Sequence, residues 1–366
     1  MTEDKLKILK AELLCYGLRL DKTAFMKISS ENPQTLERTL VHAMHIIING
    51  VIINVCATEQ FCKLSPYLLT YNNNYILWKD SKEIGIVDFI ELPCWCNEYL
   101  YGYRIGDYLR PHSYECISCS PITKCGYYTL GKACKFCSLN NYSLQNKAEE
   151  MIDPQILAHM IFKVLSYKDY ELNFSAGTVL TEDKSAYYYI NVLHELKKMN
   201  LKKFPYISIE LTPPDKDYYI EALVDCGVTA LIMNIEIADE VLRKNICPGK
   251  SEIPLERYVD TMRKAVLMLG KGNVSSVLLA GIQPVEDIIS MGKELMKIGV
   301  IPTIMPFKPL DDCAMRNYKT TNPKELLYIN TKLEKELLRN GMNPRSQHGC
   351  TRCGGCSLEA IRFIKN

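Results

Sequence analysis

The chain has 366 residues, 47% apolar and 23% charged, which is enough to bury a large core in one big domain or two to three small ones. Lys and Arg total 44 against 42 Asp and Glu, and a net charge of +2 excludes a general pull toward nucleic acid or an acidic membrane surface. Sixteen cysteines are about twice the usual share; with acids at the N-terminus and no apolar run near the ~18 residues of a membrane span, they predict a cytoplasmic protein with reduced, metal-binding or redox-active thiols rather than a disulfide scaffold.

In chain order, a helix is expected over Lys5 to Tyr16. A hairpin follows in which Asn49-Gly50 joins two β-branched runs, 45–48 and 51–55, because both turn residues must take positive φ. Residues 75–78 and 84–89 read as further strands, so 1–115 is predicted to be a small accessory α+β domain. Residues 116–150 read as a Cys-rich loop. From about 152 the pattern becomes strand then helix, repeated. The strands are expected at 171–175, 206–210, 230–235, 274–280 and 301–305. The helices are expected at 154–167, 185–199, 216–226, 254–269 and 285–298. Repeated β-α units imply a parallel sheet, open or closed into a barrel. A helix over 323–340 and a short Cys-rich tail complete the chain, which divides at 1–115, 116–320 and 321–366.

The central thiols are Cys116, Cys119, Cys125, Cys134 and Cys137. Two metals compete for them. Cys116-x2-Cys119 and Cys134-x2-Cys137 approach a zinc-ribbon spacing, whose tetrahedral metal would be closed and structural. Alternatively, Cys134 and Cys137 with one upstream thiol, Cys125 or Cys119, supply three ligands to a [4Fe–4S] cluster and leave one iron open.

Cys134-Lys135-Phe136-Cys137 resembles the C-x-aromatic-C end of the radical S-adenosylmethionine (SAM) motif, although the common C-x3-C-x2-C spacing is not kept. Cys125 is the favoured first ligand because its loop is shorter and Gly126 follows it. The resemblance continues over roughly 120–310. Ser175-Ala176-Gly177-Thr178 stands where the family carries a glycine turn against the methionine end of SAM, with Thr178 in place of its Glu. Glu210 ends the next strand. Glu236 and Arg243 resemble the strand-end Glu and later Arg that hold the SAM amino acid in biotin-synthase-like enzymes, a carboxylate for the ammonium and a guanidinium fork for the carboxylate. Gly281-Ile282 resembles the segment beside adenine. These motifs fall at C-terminal strand ends, where barrel active sites lie.

In the tail, Cys350-x2-Cys353-x2-Cys356 resembles ferredoxin spacing and suggests a second, auxiliary Fe–S cluster. Its fourth ligand is open among Cys313, Ser346, His348 and a substrate, and zinc with His348 is the competing occupant. Arg345-Ser346 resembles the Arg-Ser segment of lipoyl synthases, in which a serine ligates the auxiliary cluster. Cys94 and Cys96 read as a turn near the core. His42, His45, His112 and His194 read as surface or core residues.

The resemblance implies an α/β fold: a partial or full (β/α) barrel of radical SAM type, with the small N-terminal domain and a C-terminal cluster-binding extension. It implies an enzyme that splits SAM reductively, fed by a reduced ferredoxin or flavodoxin type donor. The substrate would be a small molecule or one bound to a carrier protein, with no membrane and no nucleic acid involved. Sulfur insertion is the leading specific reaction. Rearrangement or C–C bond formation in cofactor biosynthesis is the alternative, and a zinc-stabilised binding protein is the reading from another class.

Overall fold

The computed structural model describes residues 1–31, 33–36, 43–113, 115–139, 150–343 and 353–359. Two sheets organise them. The first has the order β1-β4-β5-β6-β2-β3, built from Arg19–Leu20 (β1), Met44–Ile48 (β2), Val51–Val55 (β3), Tyr67–Asn72 (β4), Asn74–Lys79 (β5) and Lys82–Phe89 (β6). Asn49 (φ 48°) and Gly50 (φ 76°) both take the left-handed conformation that the hairpin turn requires, and Ile48 pairs with Val51. Helix α1, Glu3–Tyr16, buries Leu6, Leu9, Leu13 and Leu14 in the core that this sheet shares with the rest of the molecule. The short hairpin Tyr99–Leu100 (β7) and Tyr103–Arg104 (β8) stands apart from both large sheets.

The second sheet runs in strict chain order: Leu109–Pro111 (β9), Cys116–Cys119 (β10), Glu171–Phe174 (β11), Ile207–Glu210 (β12), Ala230–Ile232 (β13), Val274–Ala280 (β14) and Ile301–Pro306 (β15). β9 is antiparallel to β10, and the six strands from β10 to β15 are all parallel. Each new strand is added beside the last, so the connections wind one way, as in a barrel that stops part-way. The strands are near-continuous apolar runs because both faces are covered; all seven residues of β14 are buried. The crossover helices carry their own start signals. Asp153 accepts from the amides of Gln155 and Ile156, with Pro154 at the first helical position of Pro154–Leu165.

One expectation changes here. Residues 116–119 are a strand and not a loop, so the parallel sheet begins inside the Cys-rich segment. Among the described residues no helix is long and apolar enough to cross a membrane, and no cysteine is in a disulfide.

Candidate active site

The C-terminal ends of the parallel strands open into a cavity of about 400 Å3, within the usual size of a small-molecule site. Ser118, Asn173, Ser175, Glu210 and Leu279 line it from the parallel sheet. Met44, His45 and Asn54 face them from the first sheet. Phe136 and Cys137 lie at its wall, as do His112 and Cys356.

The strand ends form one polar network. Ser175 Oγ donates to Glu210 Oε2 at 2.8 Å, and Asn234 Nδ2 donates to Glu210 Oε1 at 2.6 Å. Burial raises the Glu210 carboxyl above its ordinary pKa, although Lys250 and these two donors oppose it. Glu236 sits just past β13 with φ 67° and pairs through Oε1 with Lys250 Nζ at 2.8 Å. A positive φ at a non-glycine residue is a costly conformation that a functional site commonly retains.

The thiol loop is fastened to these strand ends. Gly126 N donates to Thr178 O at 2.8 Å, Gly177 N to Ile122 O at 2.8 Å, and Ser175 N to Cys119 O at 3.0 Å. A Cβ on Gly177 would lie 2.8 Å from both Cα and N of Cys125, which is backbone and cannot swing away. The glycine in Ser175-Ala176-Gly177-Thr178 is therefore required by the Cys125 backbone. Farther along, Lys135 N donates to Ile246 O at 2.9 Å, and Gly249 N donates to Lys132 O at 3.0 Å. Cys137 N closes a turn onto Cys134 O at 3.1 Å. Burial and the neighbouring thiols of Cys134 and Cys125 act together on Cys137, whose thiol is pushed up to about 12. Cys134 also rises well above the ordinary thiol value, first through a hydrogen bond with the Cys247 thiol and then through burial.

A stretch of 130 residues, 35% of this chain, is 27% identical to bacteriochlorophyllide c C-7(1)-hydroxylase of Chlorobaculum limnaeum. Among solved structures, coproporphyrinogen III oxidase of Escherichia coli, described as a radical SAM enzyme, matches at TM-score 0.42 and 15% identity, over 57% of this chain and 50% of its own. A radical SAM methyltransferase from Sphaerobacter thermophilus matches at TM-score 0.47 and 12% identity, over 80% and 81%. The chain resembles the radical SAM enzymes. It spans 32% of the hydroxylase's length and half of the oxidase's. No family model matches it.

The residues that the sequence suggests for the site can be followed one by one. Cys125, Cys134 and Cys137 are neighbours and only partly buried, and Cys137 reaches the cavity wall. Three thiols on one loop have the donor chemistry of a four-iron cluster with one open iron, although among the described residues no three His, Cys, Asp or Glu side chains are arranged to hold a metal ion. Cys119 does not join them. It is 0% exposed in the core, and nothing but burial moves its pKa. The zinc-ribbon arrangement fails for the same reason: Cys116 and Cys119 lie three positions apart on β10 and so point to opposite faces of the sheet.

Arg243 also departs from its expected role. It is 2% exposed, and its Nε, Nη1 and Nη2 donate to the carbonyls of Ile235, Ile253 and Lys250 at 2.9–3.5 Å. Its guanidinium lies 4.9 Å over the Tyr258 ring. Three of its five N–H donors go to the backbone that presents Glu236 and Lys250. Gly281, with φ 91°, packs against Thr321, and its N–H donates to Glu325 Oε1 at 2.9 Å. Ile282 packs with Cys134, Phe136 and Cys247 in a small apolar group that also holds Cys313. That puts Cys313 beside the first thiol loop. Thr178 Oγ1 bonds Thr212 Oγ1 at 3.1 Å, behind the cavity wall.

The tail residues divide. Cys350 and Ser346, with Arg345 and His348, lie outside the described residues. Cys353 and Cys356 are described, and their neighbour is His112, whose Nε2 is 3.7 Å from Cys356 Sγ. Cys94 and Cys96 share one 3-10 turn with the buried Trp95, away from the cavity wall. Three residues of interest carry no sequence signal. His112 and Cys247 lie far from their partners in the chain, and Lys250 reads as an ordinary exposed lysine.

Proposed function

We propose that this protein is a radical SAM enzyme whose first cluster is held by Cys125, Cys134 and Cys137. One observation carries the reading: Cys125, Cys134 and Cys137 lie on one loop fastened to the C-terminal strand ends of a part-closed parallel barrel, and Cys137 reaches the wall of a cavity that Glu210 and Glu236 also line. Cys125, Cys134 and Cys137 would hold a four-iron cluster there, which would supply the electron for reductive cleavage of SAM to methionine and a 5′-deoxyadenosyl radical for hydrogen abstraction.

The chain's own residues position and shield. Glu210 and Glu236 present carboxylate oxygens at adjacent strand ends, suited to the SAM ammonium. Ser175 and Asn234 hold Glu210 in place, and Lys250 supplies a cation for a carboxylate. Phe136, Val277, Leu279, Met305 and Phe307 give the cavity an apolar wall that keeps water from the reacting carbon. The cavity size supports a small-molecule substrate or the reactive arm of a carrier-bound one. The hydroxylase relative points the same way, since its name describes modification of a carbon of a small molecule. Electrons would come from a reduced ferredoxin or flavodoxin type protein. The tail thiols are read as an auxiliary metal site, and sulfur insertion is the narrower reading that such a site permits.

The test is anaerobic reconstitution with iron and sulfide, reduction, and addition of SAM. The expected products are methionine and 5′-deoxyadenosine, both lost in Cys134→Ala. Stoichiometric zinc without SAM cleavage would overturn the reading.

A further inference from the structure

His112 follows β9, and its backbone is fixed, with its N–H donating to Cys116 O at 2.8 Å. Its ring is 8% exposed and faces two thiols from the other end of the chain. Nε2 stands 3.7 Å from Cys356 Sγ, and Cys353 is close enough to act electrostatically on the ring. The second histidine, His45, meets the His112 ring edge-on, with centroids 5.0 Å apart, and its own Nε2 lies 3.3 Å from Asn54 Nδ2.

The thiols are held as firmly as the ring. Asn54 N, on β3, donates to Gly355 O at 2.9 Å. Lys10, on α1 and 0% exposed, donates through Nζ to Gly354 O. Glu359 Oε1 accepts from Ile304 N, on β15, at 2.9 Å. Gly355 N donates to Cys353 Sγ at 3.4 Å, the amide-to-sulfur bond that tunes thiolate ligands. Parts of the chain separated by hundreds of residues thus converge to present two thiols and one imidazole. Among the described residues no three His, Cys, Asp or Glu side chains are arranged to hold a metal ion, so these three must draw together for one to bind.

We infer that His112 is a metal ligand, and that with Cys353 and Cys356 it forms a second site of soft thiolate and imidazole donors beside the cavity that Cys137 also lines. This deepens the reading that the tail binds metal and rests on it. It moves the missing ligand from the tail itself to the residue just after β9. Thiolate with imidazole selects iron–sulfur or zinc over hard cations such as magnesium or calcium. Because His112, Cys356 and Cys137 all line the cavity, a substrate bound there would be within reach of both sites.

The experiment uses the full chain, reconstituted anaerobically, with iron, zinc and sulfide counted per protein. Wild type, His112→Ala and His112→Cys are compared in a Cys125→Ala, Cys134→Ala, Cys137→Ala background, where only the tail can load. His112→Ala is expected to weaken metal retention at least tenfold against a chelator. His112→Cys should restore it with a shifted absorption or EPR spectrum. A bound iron site should show 14N coupling in pulsed EPR that is absent from His112→Cys; a bound zinc should show a nitrogen neighbour by X-ray absorption. Unchanged retention and an unchanged spectrum in His112→Ala would overturn the proposal, as would a tail that binds neither metal in wild type. If the triple variant does not fold, the same nitrogen signals are compared between the wild-type chain and His112→Cys: a signal lost in the variant supports the proposal, and one that is equal in both overturns it. Loss of SAM cleavage with the tail metal intact would instead count against the proposed function.

Discussion

The two thiol groups face one cavity, and they are built in opposite ways. Cys125, Cys134 and Cys137 come from one loop of thirteen positions, which hangs from the strand end 175–178 and the segment 246–249 by backbone hydrogen bonds. Cys353 and Cys356 are pinned by α1, β3 and β15, and face an imidazole 244 positions away from Cys356. The first group can assemble by local folding against one edge of the barrel. The second exists only when both sheets and the tail are already together. The loop is therefore expected to tolerate damage elsewhere, while the tail site should report on the integrity of the whole fold.

The strongest break of that contrast is at the loop. Cys134→Ala or Cys137→Ala should abolish SAM cleavage, by more than about a hundredfold in 5′-deoxyadenosine formed, because a cluster with two protein ligands is not retained. The same variants should leave the tail metal in place, as counted by metal analysis. Gly177→Ala comes next. Its Cβ has no room beside Cys125, so the loop must shift, at a cost of about 1–3 kcal/mol. The iron content of the first site should fall while a melting curve shows the fold still cooperative.

Arg243→Lys is a smaller effect with a sharper reading. Three carbonyls and a ring face the guanidinium, and a lysine cannot fork to them. Melting temperature should drop by the equivalent of roughly 2 kcal/mol, with only a modest rise in the SAM Kd. A large loss of SAM affinity at unchanged stability would instead place Arg243 on the SAM carboxylate. Cys119→Ala is the smallest, about 1 kcal/mol of packing lost with SAM cleavage kept. Loss of cleavage there would exchange the roles of Cys119 and Cys125.

The parallel half of the fold is legible in the sequence because its signals are local. Strand runs such as 274–280 are continuous and apolar, and the helices between them carry caps such as Asp153-Pro154. The Asn49-Gly50 turn is legible for a similar reason: few residues accept positive φ twice. Strand β10 is not, since Cys-Ile-Ser-Cys is four residues long and lies in a segment dominated by its thiols. Its neighbours on both sides, not its own pattern, make it a strand.

The site follows the same division. Cys134-x2-Cys137 stands out by its spacing and Cys125 by its shorter loop, and the fold places the three on one loop. Arg243, seven residues past a strand-end Glu, has the right charge for a carboxylate, and only packing shows that three of its N–H groups go to carbonyls. His112 carries no mark at all. A histidine after a short antiparallel strand looks like surface until the tail is laid across β3.

The assignment of the first cluster to Cys125, Cys134 and Cys137 stands or falls on the EPR spectrum of the reduced protein with and without SAM. A four-iron cluster signal is expected whose g-values move when SAM is added, because SAM takes the open iron. The shift should be absent in Cys125→Ala and present in Cys119→Ala. A reduced cluster signal that SAM leaves unchanged, or a shift that needs Cys119 and not Cys125, would contradict the assignment.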